Sequence, residues 1–143
     1  MAETTQIQPD KVRAYLATAY RLGHAAQDIV LTIGQRSDRL AALFAAKGVN
    51  CGAFLTAYNP RGTLQPEAAN QLAHAQLATQ LEQLGHEAIA GAGSEKGTDW
   101  PAEKSYFALG MALEPAKAMG THFDQDAIVW VGADAVPQLI LLR

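Results

Sequence analysis

The apolar and polar positions divide the chain into short segments of two different periods. Val12, Tyr15, Leu16, Ala19 and Tyr20 recur at helical spacing behind Pro9-Asp10, which predicts an amphipathic helix over residues 9–22. Ile29, Val30, Leu31, Thr32 and Ile33 make a β-branched run closed by Gly34, a strand over 28–34. Ser37-Asp38 supplies an N-cap, Leu40, Leu43 and Phe44 form the stripe of a second helix, and Gly48 ends it. A buried strand follows over 52–58. Pro66 opens a third helix, with Glu67 near the positive end of its dipole and Leu72, Leu77, Leu81 and Leu84 leading to Gly85. A weaker strand of small residues spans 87–92, and the longest irregular stretch spans 91–103. A strand over 105–113, a short helix from Pro115 through Phe123, and strands over 127–131 and 137–142 complete the chain. The order α-β-α-β-α-β-β-α-β-β implies an α/β (mixed α+β) fold: one mixed sheet of about six strands with helices on both faces.

Chain order also predicts strand direction. Helical crossovers join the first three strands and favour parallel pairing. The third and fourth strands have no helix between them and read as antiparallel. The next helix sets the fifth parallel to the fourth, and the last strand returns as a hairpin. One edge of the sheet then collects Tyr58 and Asn59 at a strand end, Trp100, Glu103 and Ser105 where the fourth strand begins, Gln125 and Asp126 where the fifth begins, and Asn70 in the second turn of the third helix. Cys51 and His86 fall at the opposite edge.

Strand ends of this kind are where α/β domains place ligand groups, and each residue of the set also has a structural reading. Asn59-Pro60 either opens an ordinary turn or presents a ligand group. Asn70 shares a helix face with His74, Leu77 and Leu81, so its carboxamide either braces the Asn59 loop or meets a ligand; left unpaired it would cost about 1–3 kcal/mol. His74 reads as a satisfied core histidine. Glu103 and Ser105 point to one face if both are extended. Glu103 is the candidate general base, or the group that orients a bound amide or amine, with Ser105 beside it. The alternative has Trp100 plugging the core and Glu103 capping loop amides. Ser105 lacks the G-x-S-x-G surroundings of a hydrolase elbow, and Gly91-Ala92-Gly93 lacks the third glycine and the helix of a dinucleotide fingerprint. His122, Asp124 and Asp126 have no second His or Cys at ligand spacing, so no metal site is expected.

Composition narrows the setting. The 143 residues fit one domain, 1–143, and a balance of 49% hydrophobic with 17% charged residues is globular. A net charge of −3 without a Lys/Arg stripe argues against a nucleic-acid partner. The lone Cys51 excludes an internal disulfide and suits a reducing compartment. Residues 1–10 do not read as a secretory signal, and the longest apolar run, 137–142, is far too short to span a bilayer, so a cytoplasmic protein with no membrane partner is expected. No cofactor signature is present, and the cofactor stays unassigned.

The ordered set Phe54-Leu55-Thr56-Ala57-Tyr58-Asn59-Pro60, Asn70, Trp100 with Glu103 and Ser105, then Ala116, Phe123, Gln125 and Ala127 resembles a bacterial family catalogued as domain of unknown function 3293. Residues around Tyr15, Tyr20 and Ile33-Gly34 extend the resemblance over most of the chain. The family's second small hydroxyl residue after Asn-Pro corresponds here to Thr63, in a different register. The resemblance implies a compact cytoplasmic domain and the same polar set, and it implies no reaction. Two functions follow from the residues. One is a small-molecule site for a nucleotide-like or amide-bearing metabolite, with Asn59, Asn70, Trp100 and Gln125 binding and Glu103 and Ser105 as candidate catalytic groups; whether it is an enzyme stays open. The other is a non-catalytic interaction module or homo-oligomer that uses the apolar C-terminal hairpin edge at 139–142.

Overall fold

The computed structural model describes residues 5–23, 29–95 and 102–143. Four helices are present among them: α1 (Pro9–Ala17), α2 (Asp38–Lys47), α3 (Glu67–Gln83) and α4 (Leu113–His122). The strands are β1 (Thr18–Leu22), β2 (Ile29–Leu31), β3 (Gly52–Thr56), β4 (Ala88–Glu95), β5 (Glu103–Leu109), β6 (Ala127–Val131) and β7 (Pro137–Leu141). They form one sheet in the order β2-β1-β4-β5-β3-β6-β7. The mixed α+β class and the placement of helices on both faces hold, with seven strands rather than six.

Two expectations are corrected. Among the described residues no pair of neighbouring strands is parallel; each hydrogen-bonded pair is antiparallel. The crossovers nevertheless set the directions correctly. β5 lies between β4 and β3 and opposes both, while β1 lies between β2 and β4 and opposes both, so β2, β3 and β4 share one direction. α3 and α4 each carry the chain past one opposing strand, β5 and β3 respectively, and α2 carries it past three, β1, β4 and β5. The second correction is at the first helix. It ends at Ala17, and Thr18–Leu22 is a strand. Tyr20 fits both a helical and an alternating period, and pairing decides between them. β1 gains ladders to β2 and β4 on its two sides and buries Tyr20 and Leu22 on one face, which a last helical turn could not do.

Boundaries shift elsewhere for local reasons. The strand expected to reach 113 stops at Leu109, because Gly110 turns the chain with φ 77° and α4 begins at Leu113. β4 runs past 92 to Glu95 along its partners β1 and β5. α2 is capped as its sequence reads: Ser37 Oγ accepts the Leu40 N–H at 3.1 Å, and Gly48 closes the helix in the left-handed region.

Alternation along β3 separates two cores. Ala53 and Leu55 face α3 and α4, where they meet Leu77, Leu81, Met119 and Phe123. Phe54 faces the other way, toward Tyr20, Leu22, Phe107 and Val129 and the α2 side chains Leu40 and Phe44. The sheet curls over this second face. β2 and β7 end the strand order, yet Gly34 N donates to Pro137 O and Ser37 N to Ala135 O, both at 2.9 Å, tying the chain after β2 to the start of β7. Gly91 permits the bend, since a Cβ there would collide with the Arg21 carbonyl oxygen. α2 fills one end of the concave face and α1 roofs the other.

Candidate functional site

Under α1 the concave face holds a cleft of about 220 Å³. Tyr20, Phe54, Val129 and Leu139 supply apolar wall, Thr56, Asn59, Glu103, Ser105 and Gln125 line its polar end, and Lys11, Ala14 and Tyr15 form the roof. Side chains from β1, β3, β5, β6 and β7, with the Gly93 backbone of β4, reach this one space, as a curled sheet allows.

The polar end is built on a distorted strand exit. Thr56 Oγ1 donates to Lys104 O at 2.8 Å and accepts the Tyr58 N–H at 3.1 Å, which turns the chain out of β3. Asn59 then adopts the left-handed region (φ 45°, ψ 67°), followed by Arg61 at φ 55° inside a short 3₁₀ turn, Pro60–Gly62. Across from them Asp124 has φ 59°; its carbonyl accepts the Arg61 N–H at 2.9 Å and its carboxylate pairs with Arg61 Nε at 3.0 Å. Non-glycine residues in this region cost about 1–3 kcal/mol each, least for Asn, and such strain concentrates at ligand sites.

Asn59 is held from several directions. Its N–H donates to Asn70 Oδ1 at 2.9 Å, and its own Oδ1 accepts Asn70 Nδ2 at 3.0 Å and the Gln65 N–H at 3.2 Å. Asn70 Oδ1 also accepts Gln65 Nε2 at 2.7 Å. Asn70 is therefore joined to the strand exit from behind and is not part of the cleft wall. The remaining Asn59 donor, Nδ2, reaches Glu103 Oε2 at 2.8 Å and fixes that carboxylate at the edge of the cleft. Tyr58 stands outside this wall: its phenol donates to Glu67 Oε1 at 2.8 Å, and burial together with that bond pushes its pKa up to about 12.

The other expected residues are placed as follows. Glu103 and Ser105 share a strand face, as alternation requires, and both line the cleft. Ser105 Oγ is buried and donates to the Glu103 carbonyl at 3.0 Å. Gln125 lines the cleft too, while its Nε2 donates to Tyr58 O at 3.1 Å and Phe123 O at 3.4 Å. Trp100 lies outside the described residues. Cys51 and His86 sit at the opposite edge, against Met111 O and Leu109 O. His74 departs from the satisfied core histidine expected. Its ring stacks on Tyr106 with centroids 4.4 Å apart, and its Nδ1 is buried without a hydrogen-bond partner among the described residues.

Lys11, Tyr15 and Tyr20 at the roof and wall have no site role in the sequence reading, whereas Asp126 falls at the shared edge as that reading has it. Buried Asp126 ties α1 down: its Oδ2 takes Lys11 Nζ at 3.1 Å and the Tyr15 hydroxyl at 3.3 Å, and Arg143 Nη1 lies 3.1 Å from Oδ1 as a charge contact without hydrogen-bond alignment. Lys11 Nζ also donates to Arg61 O at 2.7 Å, and the Tyr20 hydroxyl to Tyr15 O at 2.6 Å. Burial holds the Tyr15 and Tyr20 phenols far above their ordinary pKa, with Asp126 and then Glu103 adding to the effect at Tyr15. Both stay neutral. The signal for Tyr20 was its dual period; once Thr18–Leu22 is read as a strand, Tyr20 must face the concave side.

Among the described residues no group of three or more His, Cys, Asp and Glu is arranged to hold a metal ion, and no helix is long and apolar enough to cross a membrane. The model of a family described as protein of unknown function (DUF3293) matches residues 55–128. No curated protein and no solved structure matches the chain.

Proposed function

We propose, from the premise that the chain belongs to the DUF3293 family, that it binds a small molecule in the cleft under α1 and that Glu103 receives the ligand's N–H groups. The Asn59 Nδ2 bond to Glu103 Oε2 at 2.8 Å, made from a strained and clamped strand exit, carries this reading. It orients an acceptor carboxylate against apolar wall, where a bond to a charged group is stronger than in water. Of the two ligand classes drawn from the sequence, the amide-bearing one, widened to amines and amidines, fits better than a nucleotide. The carboxamides that would read a base are engaged within the chain: Asn59 and Asn70 with each other, Gln125 with backbone. Binding is the function proposed. Glu103 is the group that would move a proton in any chemistry there, and the Ser105 hydroxyl bonds a carbonyl rather than a base. The lone Cys51, which has no partner for an internal disulfide, supports a cytoplasmic setting.

Calorimetry with benzamidine, benzylamine and benzamide against benzoate tests the reading. The three N–H donors are expected to bind and benzoate to be refused. Glu103→Gln is expected to weaken benzamidine about tenfold or more, the worth of a hydrogen bond to a charged group. Equal binding of benzoate, or full affinity in Glu103→Gln, contradicts it.

One observation supports a second reading. β7 ends the strand order, and no described strand pairs with its outer side. Leu139 already lines the cleft, and Ile140, with Leu142 just beyond, packs on the α3/α4 core. A partner would therefore add through backbone bonding at the edge. This interaction reading predicts a dimer by light scattering at micromolar concentration, and a monomer contradicts it.

A further inference from the structure

The concave face carries one row of residues across three strands. Tyr20 of β1 is in register with Gly93 of β4, and Gly93 with Glu103 of β5. Registered neighbours hold their side chains about 4.5–5.5 Å apart. A glycine between Tyr20 and Glu103 therefore leaves a slot one side chain wide, floored by bare backbone, and Gly93 lines the cleft.

A glycine inside a strand usually answers to backbone conformation or to close packing. Neither demand applies here. Gly93 is not among the residues with positive φ. A Cβ built on it would meet Thr18 Cγ2 at 3.6 Å and the Tyr20 ring carbons Cδ1 and Cε1 at 3.7 and 3.8 Å, ordinary van der Waals contacts. Gly91, two residues earlier on the same face, is the contrast: its added Cβ would strike backbone, so the sheet itself requires that glycine. The fold leaves Gly93 unexplained, and the cleft explains it.

We infer that Gly93 is the specificity-determining position of the cleft: the place over its backbone, which no described side chain fills, seats a flat N–H-bearing group, such as an amidine, amide or arylamine, laid on β4 between Glu103 and the Tyr20 ring. This rests on the binding reading above. A planar group matches a slot of that width, and its in-plane N–H atoms meet carboxylate lone pairs. The Tyr20 hydroxyl donates to Tyr15 O and is turned to the roof. A group with a tetrahedral, branched carbon next to its nitrogen would not fit the slot.

Gly93→Ala and Gly93→Val in the full chain test the inference, with benzamidine as the probe. Both variants are expected to melt at or above the wild-type temperature, because Ala and Val suit a strand better than Gly. Benzamidine affinity is expected to fall about tenfold in Gly93→Ala, as for one methyl group too many in a fitted pocket, and beyond detection in Gly93→Val. Wild-type affinity in Gly93→Val, with binding still sensitive to Glu103→Gln, overturns the inference and leaves the cleft reading standing. Failure of the wild-type protein to bind benzamidine, benzylamine or benzamide overturns both. A large fall in melting temperature for both variants assigns Gly93 to the fold and overturns the inference alone.

Discussion

At the scale of single residues, the polar set divides into side chains that shape the site and side chains that face it. Asn70 belongs to the first kind. It is 3% exposed and satisfies both the backbone and the side chain of Asn59. Asn70→Ala is expected to cost about 1–3 kcal/mol in urea denaturation, because it orphans buried groups of Asn59; a change within a few tenths would show that the brace is dispensable. His74 makes a pH-dependent contribution. Burial, and then the charge of Lys104, lower its pKa below the ordinary value of 6.5. The unfolded chain therefore binds the proton more readily than the folded one. The stability that comes from neutral His74 is full above the unfolded pKa and is lost as pH falls through the folded one. His74→Phe keeps the stack on Tyr106 and removes the buried Nδ1, so its denaturation midpoint is expected to fall less than that of the wild type between about pH 7 and about pH 5. Parallel profiles would contradict this. Alternation and helix-face spacing made Glu103, Ser105 and Asn70 legible in the sequence; the mutual Asn59–Asn70 bonding was one of two readings there, and only coordinates could choose between them.

At the scale of elements, α1 is the piece held most lightly. It buries none of its own residues, yet it roofs the cleft. Lys11 and Tyr15 fasten it to Asp126, and the Tyr20 hydroxyl fastens the Tyr15 carbonyl. Asp126→Ala is expected to raise amide hydrogen exchange across α1 toward that of an exposed helix while the amides of β3 and β5 keep their protection. Unchanged protection in α1 would show that the roof is held by other contacts. The boundary between α1 and β1 was hidden in the sequence because Tyr20 satisfies two periods at once. α2 and α3 were legible because a cap, a proline and closing glycines mark their ends independently of tertiary packing, and α4 because Pro115 lies in its first turn.

At the scale of the whole molecule, the crossovers revealed strand directions and concealed strand neighbours. A helical return dictates that β2, β3 and β4 run alike, but nothing local dictates that β1 and β5 lie among them. The shared edge was therefore predictable, whereas the cleft was not: its apolar wall needs the curl that brings Tyr20 and Leu139 to one space. The family match over 55–128 takes in Asn59, Asn70, Gly93, Glu103, Ser105 and Gln125, while α1, β1 and β7 lie outside it. The residues proposed to hold the ligand's polar group thus fall inside the matched segment, and the roof and the apolar wall of Tyr20, Phe54, Val129 and Leu139 fall outside. A crystal structure of the wild-type protein soaked in benzamidine tests the central claim most directly. The expected result is density over the Gly93 backbone with an amidine nitrogen within hydrogen-bond distance of the Glu103 carboxylate. A vacant cleft with Glu103 saturated by the chain's own groups, or benzamidine seated elsewhere, would contradict it.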